Sequence, residues 1–318
     1  WDFHISKAHC NGPVIPTLGG MSKFSAPRGN DMTIYKMGII VMVAILSPLA
    51  PVFAGQSKLN LNWGNSSATV SQSLYKNGVN IEFAYVVSVE KIPAGYILRQ
   101  SDIRVVSAQG QPVFDTGAAN QMATAVLFPP LKIDERGDPV EVIEFDKYLA
   151  ELSRAVNRPE YDQLLSNPQF QQVLYAKSIE VWCYWVCFWR EPELESGLPL
   201  VEIESAEYFG VNVPSKSITR YHGIEDGSQS ARYTFDSAID GEEAKIAFAE
   251  AAASLSNGRS PNLLSEIKEI RKHDSVSALV EPVTIKPKSV EITSQIYVSD
   301  ANGEQSSIEV STFEFDWY

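Results

Sequence analysis

Cysteine and histidine are scarce in this 318-residue chain, which has three cysteines and four histidines. Cys10 lies near the beginning of the sequence, whereas Cys183 and Cys187 are only four positions apart. So few cysteines cannot form the disulfide framework of a small cysteine-rich secreted scaffold. His222 and His273 lack metal-ligand spacing from each other and from the cysteines, so no metal site is predicted.

Positive charge is also in short supply. The chain has 26 Lys and Arg residues against 39 Asp and Glu residues, which gives a formal net charge of −13. Nucleic-acid affinity is built mainly from Lys and Arg side chains that replace counterions on phosphates. Nucleic acid is therefore not expected as a partner, and the sequence has no polybasic segment for anionic lipids.

Short motifs that mark common active sites are absent from the sequence. It contains no G-x-S-x-G, no P-loop, no dinucleotide fingerprint and no H-E-x-x-H. No cofactor is predicted, and a binding protein is favoured over an enzyme. An exported hydrolase or carbohydrate-acting enzyme stays open as the alternative, because catalytic carboxylates can converge only in the fold.

Only one apolar run resembles a targeting segment. Gly38–Leu46 follows Lys36 and is broken by Pro48, which predicts a secretory signal peptide at Met32–Ala54, cleaved after Ala54. An uncleaved membrane anchor is the alternative, although a spanning helix needs about 20 apolar residues. No stable transmembrane span is expected after cleavage, and the protein is expected in the periplasm or outside the cell.

The predicted cleavage point divides the chain into unequal parts. Residues 1–31 begin with Trp rather than Met and are predicted to be upstream readthrough, followed by the signal peptide at 32–54. Without these segments, 22 basic and 37 acidic residues remain, a net charge of −15. The remainder is predicted to form a β-rich N-terminal region at 55–144 and an α+β C-terminal region at 145–318.

Alternating patterns predict an α+β fold in which antiparallel sheet dominates. A meander of strands is predicted from residue 79, whereas the polar segment 56–78 predicts a flexible entry with at most a short edge strand. Near the C-terminus, two alternating segments around Asp300–Gly303 predict a hairpin. Its last strand is expected to pair with Val290–Val298 because its aromatic side needs burial.

Two helical units are predicted by their boundary residues. A helical pair is predicted near 146–175, where Pro159 supplies a proline at a helix start. A helical hairpin is predicted near 241–272, where Asp240 caps the first helix and Pro261 starts the second.

The densest aromatic stretch is VWCYWVCFW at 181–189. Aromatic and β-branched residues favour a strand, in which Cys183 and Cys187 would be buried thiols about 13 Å apart, too far for a disulfide. A helix would bring both cysteines onto one face, where an exported chain is expected to oxidise them. The interpretations therefore differ in whether these cysteines form a disulfide.

The same stretch provides the candidate aromatic binding surface. Its members are Trp182, Tyr184, Trp185 and Trp189. A catalytic redox pair is disfavoured, because thioredoxin-like motifs have the spacing C-x-x-C rather than C-x-x-x-C.

The segment VVSVEKIPAGYILRQSDIRVV, residues 86–106, resembles the entrance of an SAF-type module. The shared pattern is a strand, Ile-Pro-Ala-Gly, an apolar pair and Asp-Ile. These positions are Ile92, Pro93, Ala94, Gly95, Ile97, Leu98, Asp102 and Ile103. SAF modules are small β-clip domains of Flp-type pilus-assembly proteins and of the flagellar P-ring chaperone, so the resemblance implies a role in envelope assembly.

A second motif, Cys-Tyr-Trp-Val-Cys at 183–187, is similar to a patch of the TraU-like exported conjugation proteins. Those proteins are cysteine-rich, whereas this chain has two cysteines after the predicted cleavage point. Together these features lead to one hypothesis: an exported, non-catalytic binding or assembly component of pilus, flagellar or conjugation-type machinery. Its expected partners are other envelope proteins.

Overall fold

The computed structural model of the chain describes residues 61–190, 198–208, 211–225, 227, 229–255, 267–300 and 303–318. The predicted signal peptide and residues 1–31 lie outside these ranges. Within them, the chain forms eleven β-strands and five α-helices.

All eleven strands belong to one antiparallel sheet, which confirms the mainly antiparallel fold predicted from the sequence. The strands are β1 (Ser66–Lys76), β2 (Val79–Ile92), β3 (Gly95–Ala108), β4 (Leu131–Ile133), β5 (Pro139–Val142), β6 (Pro199–Tyr208), β7 (Val211–Ile224), β8 (Ala231–Asp240), β9 (Ile267–Val280), β10 (Pro287–Asp300) and β11 (Gly303–Trp317). Their order across the sheet is β5-β4-β3-β2-β1-β11-β10-β9-β8-β7-β6.

The first strand lies in the middle of the sheet. From β1 the chain adds one neighbouring strand after another until it reaches the edge strand β5. The second half of the chain begins at the opposite edge with β6 and ends with β11, which pairs with β1. Ala68 is opposite Trp317 in this central pair. The predicted C-terminal hairpin is confirmed, with Val290 opposite Phe313. The predicted N-terminal and C-terminal regions therefore share a single sheet.

The prediction of a flexible entry segment is wrong from Ser66 onward. β1 is an 11-residue strand with hydrogen-bonded neighbours on both sides. Ala68, Val70, Gln72 and Leu74 alternate along it and are all buried, while Ser and Thr residues separate them. The strand forms because this alternation places one side chain in two against the core.

The two faces of the sheet differ in polarity. On β11, Phe313 and Phe315 are buried on the inner face, whereas Glu314 and Asp316 are exposed on the outer face. An antiparallel sheet with one face on the core and one face in water shows this alternation. The inner face is therefore where the helices pack.

The helices occupy three connections between strands. They are α1 (Thr116–Ala123), α2 (Phe145–Val156), α3 (Pro159–Leu165), α4 (Pro168–Trp185) and α5 (Gly241–Leu255). The helical pair predicted near 146–175 is thus three helices, and the last of them extends ten residues further. None of the helices that the structure describes has the length and apolar character needed to cross a membrane.

The predicted helical hairpin near 241–272 is wrong in its second half. Residues 267–272 belong to β9, which hydrogen-bonds to β8 and β10. Ile270, Lys272, Asp274 and Val276 alternate along β9 and all are buried. Pairing on both sides holds this segment in the sheet, and residues 256–266 between α5 and β9 lie outside the described ranges.

Aromatic rings join α4 to the inner face of the sheet. The Trp185 ring makes edge contacts with Phe313 and Phe315, with ring centroids 5.5 and 5.1 Å apart. Just after α4, Phe188 stacks on Phe235 of β8 with a centroid distance of 4.2 Å. Such ring pairs stabilise packing beyond the area they bury, so the C-terminal end of α4 is held against both β11 and β8.

Candidate functional site

A cleft of about 110 Å³ lies between α4 and the inner face of the sheet. Part of its lining is apolar: Val126, Leu127, Val181, Trp185 and Phe313. Six charged residues also line it, together with several serines and tyrosines: Lys76, Lys177, Lys272, Glu180, Asp274 and Glu309. Apolar walls with a few convergent polar groups are typical of sites for small molecules, so this cleft is the candidate functional site.

Two of the charged residues form a buried ion pair within β9. Lys272 Nζ lies 2.5 Å from Asp274 Oδ2, and their side chains are only 2% and 3% exposed. Residues two apart in a strand point to the same face, which places both in the cleft. From β10, the Ser294 hydroxyl donates to the other Asp274 oxygen at 2.6 Å. Both carboxylate oxygens of Asp274 are therefore engaged inside the protein.

A second ion pair connects the first strand to the last. Lys76 and Glu309 are directly opposite each other in the β1–β11 ladder. Lys76 Nζ is 2.7 Å from Glu309 Oε2, and the side chains are 18% and 22% exposed. This pair keeps some contact with water, unlike the pair in β9.

Helix α4 contributes a carboxyl group, Glu180, which is 8% exposed. The Tyr184 hydroxyl, one turn further along the same helix face, donates to Glu180 Oε1 at 2.7 Å. Burial raises the pKa of Glu180 to about 6, although attraction by Lys272 and the Tyr184 hydrogen bond act in the opposite direction. This carboxyl group therefore titrates at mildly acidic pH.

Lys177 lies one turn before Glu180 and is half-buried. Burial lowers the pKa of its ammonium group, and the negative charges of Glu309 and Glu180 oppose that effect. Within the described ranges, Lys177 makes no ion pair and no side-chain hydrogen bond. It thus differs from Lys76 and Lys272, each of which contacts a carboxylate.

The strand interpretation of 181–189 is wrong, because α4 continues to Trp185 and a short 3₁₀ turn follows at Cys187–Trp189. Packing of the aromatic side chains against the sheet decides this conformation and overrides their intrinsic preference for strands. Cys183 and Cys187 are both present as buried thiols, and the disulfide interpretation is not what the structure shows.

The four rings predicted as a binding surface are all buried, with exposures between 1% and 7%. A solvent-facing aromatic surface is therefore wrong for Trp182, Tyr184, Trp185 and Trp189. The sequence does not show what lies opposite these rings, so it left open both a buried strand and an aromatic binding surface. Tyr184 and Trp185 nevertheless reach the candidate site as part of its lining.

The same aromatic stretch holds the turn between β4 and β5. Trp182 Nε1 donates to the Gly137 carbonyl at 2.9 Å, and the Arg190 guanidinium is 2.6 Å from Asp138. Gly137 has a φ of 88°, and a Cβ there would lie 2.8 Å from Leu61 Cδ1. These contacts fix the β4–β5 turn against the end of α4, so the aromatic stretch has a structural role.

The charged residues of the cleft were not singled out by the sequence analysis. A signal does exist in β9, where Lys272 and Asp274 interrupt the apolar alternation between Ile270 and Val276. Two adjacent inward positions that carry opposite charge indicate a buried pair, but only after the segment is known to be a strand.

The sheet edges offer a second surface. β6 has ten residues and pairs only with β7 among the described strands, and its Val201 and Ile203 side chains are 48% and 78% exposed. The other edge, β5, has four residues and begins with Pro139. Long unblocked edges can accept another strand, whereas short edges with proline resist it.

The segment that resembles an SAF module forms the β2–β3 hairpin. Gly95 has a φ of 132°, and a Cβ there would lie 2.0 Å from the Ile133 carbonyl oxygen, so the close approach of β4 requires glycine. The hairpin geometry by itself explains why glycine occurs at this position of the motif. The resemblance to the SAF family stays a prediction. Compared with protein-family models, curated proteins and solved structures, the chain matches none of them.

Proposed function

We propose that the protein is an exported, non-catalytic binding component of the bacterial cell envelope that holds a small molecule in the cleft under α4. The observation that carries this proposal is the lining of the cleft, where charged groups converge on a cavity with apolar walls. Small-molecule sites combine these two kinds of surface, the apolar part for affinity and the polar part for orientation.

The buried ion pair in β9 supports a functional role for this lining. Removing two charges from water is costly, and well-packed apolar residues in their place are often as stabilising or more so. Lys272 and Asp274 lie on a face of β9 whose neighbouring inward positions are Ile270 and Val276. Departures from apolar patterning are expected at functional sites, and this one coincides with the cleft.

Export and envelope location are supported by the sequence alone. The signal-peptide pattern at Met32–Ala54 and the SAF-like segment at 86–106 both favour the envelope. The excess of acidic residues favours partners other than nucleic acid. Expression of the full reading frame in a bacterial host, followed by fractionation, should recover a protein that begins at Gly55 in the periplasm. Recovery only in the cytoplasm would contradict export.

The binding function is tested by filling the cleft. Ser311 lines the cavity, whereas Ser306 lies on the exposed face of the same strand. The protein purified from its native envelope should carry a non-covalent small molecule in native mass spectrometry. Ser311→Phe should abolish that adduct, and the matched control Ser306→Phe should keep it. Absence of any adduct, or equal adducts in both variants, would contradict the proposal.

A second candidate function is supported by the carboxyl groups of Glu180 and Asp274. Both are buried in the cleft, and the charge of Asp274 contributes to the raised pKa of Glu180. A carboxyl with a raised pKa can act as a general acid in an exported hydrolase or carbohydrate-acting enzyme. Hydrolysis of chromogenic glycosides or esters should then fall at least 100-fold in Glu180→Gln, as expected for loss of a general acid. The exposed control Glu242→Gln should keep full activity, and hydrolysis that survives Glu180→Gln would exclude this role.

Assembly with other envelope proteins is the remaining part of the proposal, and the β6 edge supports it. An exposed edge binds a partner by accepting an additional strand. A photo-crosslinking residue at Ile203 should capture a specific envelope protein, whereas one at Val140 on the short β5 edge should not. Equal capture at both positions, or none at Ile203, would count against assembly through β6.

A further inference from the structure

Among the residues that the structure describes, Lys177 is the cleft lysine with no carboxylate within ion-pair distance. Lys76 and Lys272 each have a carboxylate oxygen, at 2.7 and 2.5 Å. Lys177 lines the same cavity, but the described part of the chain offers its ammonium group neither an ion pair nor a hydrogen bond. A half-buried cation that lacks such a contact is stabilised when an anion binds beside it.

The helix places an apolar wall next to this ammonium group. Lys177, Val181 and Trp185 are spaced four residues apart on α4, so they lie along one stripe of the helix, and all three line the cleft. Phe313 of β11 lies against Trp185, with ring centroids 5.5 Å apart. A molecule lying along the stripe therefore meets positive charge at one end and apolar side chains at the other.

We propose that the cleft binds a small organic monocarboxylate, with its carboxylate on the Lys177 ammonium group and its apolar body against Val181 and Trp185. The inference rests on the proposed function, since it names the ligand class of the same cleft. A cavity of about 150 Å³ accommodates benzene in an apolar core, so the volume of about 110 Å³ suits a body of only a few carbon atoms.

Glu180 makes this binding depend on pH. The groups that act on Glu180 are Lys177 and Tyr184 on α4, together with Lys272 and Asp274 on β9. A bound carboxylate at Lys177 lies near Glu180 and is repelled by its ionised form, so binding is accompanied by proton uptake at Glu180. Affinity is therefore expected to rise as the pH falls from 7.5 through about 6, the raised pKa of this carboxyl.

The ligand class is tested with three probes that share one short hydrocarbon chain: butanoate, butanamide and butylammonium. Isothermal titration of the full chain should show butanoate binding at least tenfold more tightly than butanamide, and no binding of butylammonium. Lys177→Met should weaken butanoate binding at least tenfold, while Lys177→Arg should retain most of it. Lys147→Met, at an exposed lysine on α2, is the matched control and should bind as the parent does.

The pH dependence provides a second readout. Butanoate should bind more tightly at pH 5.5 than at pH 7.5, and Glu180→Gln should bind it equally at both because residue 180 then carries no ionisable carboxyl. A parent protein with equal affinities at the two pH values would overturn the role of Glu180. Circular dichroism of each variant establishes that it is folded before binding is compared.

The outcomes separate this inference from the proposed function. Equal binding of butanoate and butanamide, or undiminished binding by Lys177→Met, overturns the carboxylate inference while the cleft remains a binding site. Failure of all three probes, with a co-purified molecule still lost in Ser311→Phe, also overturns the ligand class and spares the function. Undiminished butanoate binding by Ser311→Phe would place the site elsewhere and overturn both.

Discussion

Replacing Lys272 with methionine should destabilise the protein far more than replacing its neighbour Arg271. The Lys272 and Asp274 side chains are 2% and 3% exposed, so Lys272→Met leaves a carboxylate buried without its ammonium partner. Arg271 pairs with Glu269 on the outer face, where the side chains are 60% and 42% exposed. The two substitutions remove adjacent positive charges from the same strand and differ in burial.

The magnitudes follow from that difference. Removing one member of a buried ion pair costs about 3–5 kcal/mol, whereas an exposed pair contributes about 0–1 kcal/mol. At about 2–4 °C per kcal/mol for a domain of this size, Lys272→Met should lower the melting temperature by roughly 6–20 °C. The double variant Lys272→Met/Asp274→Leu removes both charges and should recover most or all of the loss.

Urea denaturation followed by tryptophan fluorescence would measure these differences, because several buried indoles lie in the same core. The four proteins needed are the parent, Lys272→Met, the double variant and Arg271→Met. The electrostatic argument would be refuted if Lys272→Met cost no more than Arg271→Met. It would be refuted equally if the double variant were less stable than Lys272→Met, since the unpaired carboxylate would then not be the cause.

Three further predictions follow from buried groups and from one glycine. Gly95→Ala should cost several kcal/mol in urea denaturation, because the new Cβ would lie 2.0 Å from the Ile133 carbonyl oxygen at a φ of 132°; a cost below about 1 kcal/mol, the usual Gly-to-Ala scale, would contradict that clash. Cys183 and Cys187 should resist alkylation in the folded protein and both react after unfolding without a reductant; thiols that appear only after reduction would show a disulfide. Because burial raises the pKa of Glu180 from 4.5 to about 6, its contribution to stability is present below pH 4.5 and is lost as the pH rises through 6. That loss is about 2 kcal/mol at 1.36 kcal/mol per pKa unit, and Glu180→Gln should abolish it in unfolding curves measured between pH 4.5 and 7; an unchanged pH dependence would contradict this assignment.

The C-terminal hairpin could be predicted because its signals are local. The turn-forming sequence Asp-Ala-Asn-Gly at 300–303 separates two alternating segments, and the inward positions Phe313 and Phe315 are aromatic. Burial of those rings fixes the register, since a shift by one residue would turn them to the solvent. Pattern and turn chemistry therefore agree in this element.

Two of the strands that line the cleft, β1 and β9, escaped prediction. In β9, Lys272 and Asp274 occupy inward positions where a core strand ordinarily carries apolar residues, and in β1 Gln72 and Lys76 do the same. Alternation of apolar and polar residues is the main sequence signal for a strand. Polar groups that face the cleft weaken that signal in β1 and β9, whereas β10 and β11, which also line the cleft, keep it through a clear turn and inward aromatic residues.

The C-terminal part of helix α4, beyond residue 175, escaped prediction for a different reason. Its last turn, Val181–Trp185, consists of residues that favour strands in isolation, and local preference is a weak guide where tertiary packing decides. The helix is held by rings that come from distant parts of the chain, including Phe313 and Phe315. Such partners cannot be identified from the segment itself.

The central pairing of β1 with β11 sets the order in which the molecule can be completed. Lys76 and Glu309, which meet in this ladder, are 233 positions apart, and contacts of such separation form late because a long loop must close first. β1 acquires its second neighbour only when β11 has been synthesised. Until then β1 is an open edge in what becomes the middle of the sheet, whereas the strands on either side of this junction already pair with their neighbours along the chain.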